Sequence, residues 1–425
     1  MNGQERPTPA RAPSRQEQAE GQLRSLELFG MRFGLDRMRR MMTALGSPER
    51  SFEAVHVLGT NGKSSTTRMT AAILERHGLR TGAYLSPHLV SYCERVLVGE
   101  REMDPDGFAD AISRAAWAAE RVNRTLAGDD HVTQFELLTA AAFWHLADAG
   151  VEVAAVEAGL GGRYDATSVL DAPVTVLTNV GLEHTRWLGP TVRHIAEEKL
   201  AAVAPGAVLV LGGDLDEQAL AVARRVAAQR EARLVRADPP AAGLRLGAAG
   251  EFQRSNFALA RAAARAYLEH AGIPISEQAV AAAAAETEVP GRLQVVDEDP
   301  LTILDGAHNP HAVDSLLRSL PALVGERPLA LVLGVLDDKD AAAMLAALLA
   351  RARRAWFVAP PSPRALPPAT LASLARQLGF GSAESGATLQ ALEEAQRWAR
   401  EHGGAVLVTG SVYLVGEVLA QGVAR

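Results

Sequence analysis

A chain of 425 residues is too long for one hydrophobic core and predicts two or three domains, with enough interior for an enzyme. Hydrophobic residues make up 48% and charged residues 22%, and the net charge of −7 argues against a general binder of nucleic acid or of an anionic membrane surface. No apolar run is long enough to cross a bilayer, and the single cysteine, Cys93, suits a reducing cytoplasm and reads as a half-buried structural thiol. In chain order, residues 1–20 are polar and proline-rich without an apolar centre, which predicts a disordered tail and not a signal peptide. Beyond them, valine- and leucine-rich runs alternate with alanine-rich helical patterns, the βαβ rhythm of a parallel sheet. Strands are predicted over 54–58, 82–85, 153–157, 174–179 and 207–211, with helices over 65–77, 110–126 and 136–149, two of them closed by Gly78 and Gly150. A second series of strands, over 301–304, 329–333, 355–358 and 405–408, follows a break at Val289-Pro290-Gly291-Arg292. The fold class expected is α/β: a P-loop-type parallel-sheet domain over 21–290 and a smaller Rossmann-like domain over 291–425, with a cleft between them.

The most informative stretch is VLGTNGKSSTT, residues 57–67, between an apolar strand and a helix-forming segment. Gly59 and Gly62 let backbone approach a ligand, the N–H groups of the new helix point at anions, and Lys63 adds a mobile positive charge. A hydroxyl from Ser64, Ser65 or Thr66 can reach the magnesium of bound ATP. Val57 stands where the strict P-loop pattern wants glycine, so the signature is the narrower Gly-Thr-Asn-Gly-Lys. A glycine-rich turn can be mere tight packing, and Lys63 beside the hydroxyl run is what tips the reading toward nucleotide.

Several polar residues stand where strands end, and in open α/β sheets ligands sit at those ends. Ser86 and His88 follow the second strand, Glu157 closes the third ahead of the glycine-rich AGLGGRYDAT, and His184 follows the fourth. Together Ser86, Glu157 and His184 could bind a divalent ion beside the phosphate loop, although each alone has an ordinary structural explanation. Lys199, within a helix starting near Thr191, reads on spacing alone as an exposed lysine paired to Glu197 or Glu198. The turn Asp305-Gly-Ala-His308-Asn-Pro310 either caps the next helix or faces the cleft.

The motifs LGTNGKSST, YLSPHLVSYCERV, VEAGLGGRYDATS, NVGLEHTRWLG, IAEEK, PGRLQ, LDGAHNP, GVLDDKD and VTGSVYLVGE closely resemble, in order and spacing, the folylpolyglutamate synthases and bifunctional dihydrofolate synthases of the Mur ligase superfamily. The resemblance spans nearly the whole chain beyond the N-terminal tail. It implies an ATP-dependent ligase that adds L-glutamate to dihydropteroate or folates through an acyl phosphate. Thr60, Asn61, Gly62, Lys63 and Ser64 would meet the ATP phosphates, with Asn256, Arg292, Asp305 and His308 completing the nucleotide site. Ser86, Glu157 and His184 would bind Mg2+. The resemblance makes Lys199 the family's carbamylated lysine, reversing the reading from spacing, and assigns catalysis to Lys63, His184 and Lys199. Thr133, Gln134, Phe135, Glu136, Tyr164, Asp165 and Ala166 would form the pteroate pocket. It admits a monovalent cation and implies a cytoplasmic monomer with small-molecule substrates only.

Three positions depart from the family pattern: Ser64 replaces a glycine, Glu183 an aspartate and Ser168 an asparagine. A Mur-type cell-wall ligase is the first rival, but only about sixty residues precede the phosphate loop, too few for an added uridine-nucleotide domain. A nucleotide hydrolase or switch without ligation is the second.

Overall fold

The computed structural model describes residues 13–26, 33–239, 243–381 and 383–422. Strands β1 (Glu53–Leu58), β2 (Thr81–Tyr84), β3 (Val96–Val98), β4 (Arg101–Glu102), β5 (Val153–Glu157), β6 (Val174–Leu177), β7 (Val208–Leu211) and β8 (Arg233–Arg236) form one sheet in the order β4-β3-β2-β5-β1-β6-β7-β8. It is parallel from β2 to β8, and β3 and β4 add an antiparallel edge. Its central strands are buried on both faces, which is why they read as continuous apolar runs and not as alternating ones.

Helices α1 (Arg15–Ser25), α2 (Asp36–Ala44), α3 (Lys63–Glu75), α4 (Pro105–Asn123), α5 (Gln134–Asp148), α6 (Thr185–Leu188), α7 (Val192–Leu200), α8 (Glu217–Gln229), α9 (Glu251–His270) and α10 (Glu277–Glu286) cover this sheet. One face takes α3, α9 and α10, where Ile73 and Met69 meet Phe257, Ala260 and Val280. The other takes α4 and α5 around Tyr84, Phe108 and Phe143, and α7 and α8 around Leu177, Leu209 and Val222.

The chain then enters a second sheet, β9 (Gln294–Glu298), β10 (Leu301–Leu304), β11 (Leu329–Leu333), β12 (Ala352–Phe357), β13 (Ala383–Ser385) and β14 (Ala405–Thr409), ordered β13-β12-β11-β14-β10-β9. Only β9 runs antiparallel to its neighbour. Helices α11 (Pro310–Ser319), α12 (Pro321–Val324), α13 (Ala341–Leu349), α14 (Pro368–Gln377), α15 (Thr388–His402) and α16 (Val412–Ala420) flank it on both faces.

Two sequence expectations change. Residues 1–12 of the expected disordered tail lie outside the described residues, but from Arg15 the chain is helix α1. Ser14 and Glu17 close a capping box there, and Ala19 and Leu23, four apart, are buried against the α4 side of the core. Polar composition hid that pair. Cys93 is buried, not half-buried.

Candidate functional site at the facing sheet edges

Because β1, β2, β5 and β6 run parallel, the residues that follow them emerge at one edge of the first sheet. Here they line a cavity of about 390 Å3, with the turns after β10, β11 and β14 of the second sheet forming its opposite wall.

The phosphate loop is shaped by the segment after β6. Thr60 N–H donates to the Asn179 carbonyl at 3.0 Å, Asn61 N–H to Asn179 Oδ1 at 2.9 Å, and Thr178 Oγ1 to the Asn61 carbonyl at 2.7 Å. Glycine is obligatory at two positions. Gly59 has φ +147° and a Cβ there would lie 1.8 Å from Thr178 Oγ1, while a Cβ at Gly62 would lie 2.3 Å from Asn256 Oδ1. The buried Thr60 hydroxyl accepts from Gly181 N–H and so serves the loop itself. Gly62 caps α3, and Lys63 is its first residue, with Nζ donating to the Thr60 carbonyl at 3.1 Å.

Glu157, at the end of β5, is buried, and both of its oxygens are engaged: Oε1 accepts from Ser64 Oγ and Oε2 from Ser86 N–H, each at 3.0 Å. Burial raises the carboxyl above its ordinary range, against the pull of Lys63, these two donors and Arg292. Thus Ser64, which takes a glycine position of the family pattern, is the hydroxyl turned to the acid. Ser86, Glu157 and His184 line the same cavity. No three Asp, Glu, His or Cys side chains among the described residues form a closed metal cage. One carboxylate and the serine hydroxyls nevertheless suit Mg2+, which takes few protein ligands and completes its shell with phosphate and water, the His184 imidazole being the softest donor of the set. His184 has positive φ, and burial lowers its pKa to about 4 against the attraction of Glu183, so the ring is neutral at pH 7.

Lys199 is 4% exposed, and its amine donates to the Gly59 carbonyl at 2.7 Å. This corrects the surface ion pair read from spacing. Glu197 instead pairs with Arg193 and Arg225, and Glu198 with Arg163. The missed signal was periodicity, since Lys199 lies four residues after Ile195 on the buried stripe of α7. Burial first, then the charge of Lys63, lower the amine to about 7.

The second sheet supplies Arg292, Asp305 and His308. Asp305 is buried and organises its own turn, accepting from Ala307 and Leu293 N–H at 2.8 and 2.9 Å. Asn309 caps α11 and also exchanges side-chain hydrogen bonds with Asn61 at 3.0 and 3.3 Å across the cleft. Lys339 Nζ crosses to Glu183 Oε1 at 3.1 Å. Burial opposes it, but His308, Lys339 and His184 hold the Glu183 carboxyl well below the usual carboxylate range. Asn309 and Lys339 lie in quoted motifs, LDGAHNP and GVLDDKD, without having been singled out.

A second chamber of about 800 Å3 shares Gln134, Phe135, Gly159, Leu160 and Leu188 with the first, so these residues form a waist between the two. Gly159 leaves room for Phe135, whose ring would stand 2.5 Å from a Cβ there. Thr133, Glu136, Tyr164, Asp165 and Ala166 line the outer chamber. Glu136 is buried, completes the capping box of α5 and pairs with Arg37, and Asp165 accepts from Leu160 and Thr167, so these two acids brace the walls. Sequence reasoning missed Phe33 and Trp187, whose rings lie 5.6 Å from Tyr164 and 5.8 Å from Phe33 respectively. One of them stands in a loop and the other in a four-residue helix, too short to carry a periodic signal.

The chain has relatives among known proteins. The Mur ligase, glutamate ligase domain matches residues 291–412. Folylpolyglutamate synthase of Lacticaseibacillus casei is 31% identical, covering 89% of this chain and 93% of its own. Dihydrofolate synthase/folylpolyglutamate synthase of Bacillus subtilis is 30% identical over 92% and 95%. Among solved structures, Mycobacterium tuberculosis folylpolyglutamate synthase complexed with ADP and AMPPCP superposes with a TM-score of 0.89 at 30% identity over 97% and 98%. Escherichia coli FolC in complex with DHPP and ADP superposes with a TM-score of 0.84 at 31% identity over 96% and 99%. With relatives this similar along almost their full length, and with the phosphate loop, the buried acid and the second-sheet turns lining one cavity, the chain belongs to the folylpolyglutamate synthase and dihydrofolate synthase family of ATP-dependent glutamate ligases.

Proposed function

We propose that this chain joins L-glutamate to the carboxylate of dihydropteroate and also extends folate tails, with ATP in the inner cavity and the pterin in the outer chamber. The observation that carries this reading is the shared waist at Phe135, through which a flat acceptor can send its carboxylate toward the phosphate loop. Joining a carboxylate to an amine in water is uphill, so the carboxylate first attacks the γ-phosphorus of ATP. ADP leaves, and the amine of glutamate displaces phosphate from the acyl phosphate.

Each step has its residues. Thr60, Asn61, Gly62, Lys63, Ser64 and Asn256 bind ATP from the first sheet, and Arg292, Asp305 and His308 from the second. Lys63 offsets the charge that builds as two anions meet, and placed cations of this kind contribute about 3 kcal/mol of transition-state stabilisation. Ser86, Glu157 and neutral His184 would hold Mg2+, which when bound neutralises phosphate charge. Lys199, with its amine near pH 7, carries enough neutral amine to add CO2, losing a proton to become a carbamate in place of a buried ammonium. The Asn61–Asn309 and Glu183–Lys339 bonds hold the cleft closed while the acyl phosphate exists, keeping water out. A single buried free cysteine and the absence of any spanning helix among the described residues fit a cytoplasmic setting.

The test is phosphate release by purified protein with ATP, Mg2+ and glutamate, given dihydropteroate or tetrahydrofolate in turn. Release that needs both glutamate and an acceptor is expected with each. Release without acceptor would favour a hydrolase, and product with neither acceptor would overturn the acceptor class.

A further inference from the structure

The inner cavity holds one cation that no step above uses. Arg95, in the YLSPHLVSYCERV motif, lines the cavity yet is only 9% exposed. Its Nε donates to His88 Nδ1 at 2.9 Å, and its guanidinium carbon lies 5.4 Å from the Tyr92 ring centroid. Among the described residues no carboxylate pairs with it, and its two terminal nitrogens have no hydrogen-bond partner. The other cations of the cavity are differently placed. Lys63 and Lys199 donate to loop carbonyls, Lys339 pairs with Glu183, and Arg292 donates to the Gly291 carbonyl with Asp305 and Glu157 nearby.

Nor is Arg95 held loosely. Glu94 gathers the N–H groups of Leu89, Val90 and Ser91 at 2.8, 2.8 and 2.6 Å, so the loop before Arg95 is folded onto its own carboxylate. The Arg95 carbonyl accepts from Leu85 N–H at 2.8 Å, tying it to the end of β2. On the waist side, the Arg95 charge acts on the Tyr84 hydroxyl, and the Tyr84 ring lies 6.4 Å from that of Phe135. A buried guanidinium with free donors costs solvation that a planar anion would restore, and the two-pronged fork matches a carboxylate.

We propose that Arg95 anchors the acceptor carboxylate as it emerges past Phe135 into the inner cavity. This rests on the acceptor occupying the outer chamber as described above. With dihydropteroate, one carboxylate oxygen stays on the Arg95 fork while the other forms the bond to the γ-phosphorus. The bond from that phosphorus to the β,γ-bridging oxygen breaks, and ADP departs with its electron pair. With a folate acceptor, the fork keeps the α-carboxylate while the γ-carboxylate reacts. Arg95 is thereby a substrate-binding residue for the one functional group that both acceptors bring to this end of the cavity.

The test uses the full chain and two ligands, dihydropteroate and its carboxamide, titrated by calorimetry into wild type, Arg95→Gln and Arg95→Lys. Wild type should bind the acid about 10- to 100-fold more tightly than the amide, and Arg95→Gln should bind both alike. Arg95→Lys should keep part of the preference, and ATP affinity and melting temperature should stay at wild-type values in both variants. An acid preference that survives intact in Arg95→Gln would overturn the assignment. A rise in KM for glutamate, with KM for the acceptor unchanged, would overturn it as well. If Arg95→Gln does not fold, the acid-to-amide ratio of Arg95→Lys decides, because an unchanged ratio sinks the proposal. Wild type that binds neither ligand would instead bring down the acceptor reading of the preceding section.

Discussion

The two rims of the cleft are each braced by their own hydrogen bonds, whereas at the cavity they meet through exchangeable polar side chains. On the first rim, residues 178 and 179 pin the phosphate loop through hydrogen bonds of 2.7 to 3.2 Å, all at the edge of the first sheet. On the second, Asp305 fixes its own turn and Asn309 caps its own helix. Between them, Leu89 and Phe252 pack on the second sheet's core, and polar side-chain contacts such as Asn61–Asn309 and Glu183–Lys339 bridge the cavity itself. Affinity for nucleotide phosphate should therefore reside in the first rim, where nothing has to move. Turnover should depend on the junction, where about 1 kcal/mol per contact is enough to shift an open–closed equilibrium severalfold.

Breaking the first rim should have the largest effect. Gly59→Ala puts a methyl 1.8 Å from Thr178 Oγ1 on a backbone that disfavours any side chain. ATP affinity should fall about 1000-fold, which is about 4 kcal/mol, in a direct titration. A loss below threefold would mean the loop is not pre-fastened.

Next in size is Lys199, also on the first rim. Its amine is lowered from 10.5 to about 7, so the folded state resists the charge that the unfolded state carries. Below pH 7 both states are protonated and the burial penalty is full. Between pH 7 and 10.5 folding releases a proton, and stability rises with pH. In CO2-free buffer, where the amine is unmodified, Lys199→Met should therefore be more stable than wild type by about 2 kcal/mol near pH 6, with the gap closing toward pH 10, in chemical denaturation measured at each pH. A gap independent of pH would show that the lysine is not buried as an amine. The same variant should lose turnover, separating stability from catalysis at one residue.

The contrast between the rims also tracks what the sequence disclosed. The parallel strands were readable because burial on both faces leaves unbroken valine and leucine runs, as in β6 and β11. Edge strands β8, with Arg at both ends, and β9, carrying Asp297 and Glu298, were missed because one flank faces solvent and charge interrupts the pattern. The short strands β3, β4 and β13 were also passed over. Ser86, Glu157 and His184 were legible because strand order alone puts strand ends at one edge. Arg95 was not, since an arginine beside a glutamate reads as an exposed pair. Only the fold reveals that Glu94 is spent on backbone N–H groups and that Arg95 points into a cavity. Leu188 and Phe135 form the waist only after the start of α5 and the end of α6 meet.

At the junction the effects should be smaller and kinetic. Lys339→Met removes a charge-assisted bond whose two side chains are 10% and 12% exposed. It should lower kcat about tenfold, near 1.4 kcal/mol, while the dissociation constant for ATP changes less than twofold. An equal loss in both would place Lys339 in the binding site proper and erase the distinction between rim and junction.

Asn309 offers the finest cut, because it has two separable duties. Its Oδ1 caps α11 by accepting from Ala312 N–H at 2.8 Å, and its Nδ2 reaches Asn61 Oδ1 across the cleft at 3.0 Å. Serine caps a helix about as well as asparagine but is too short to reach Asn61. Asn309→Ser should thus melt within error of wild type and lose about fivefold in kcat, as both neutral hydrogen bonds to Asn61 go. Asn309→Ala should show the same kcat and an added stability loss of about 1 kcal/mol from the bare helix end. If serine restored kcat as well as stability, the Asn61–Asn309 pair would be idle, and closure would rest on the other cross-cleft contacts, Glu183 with Lys339 and His308 and Asn61 with His311.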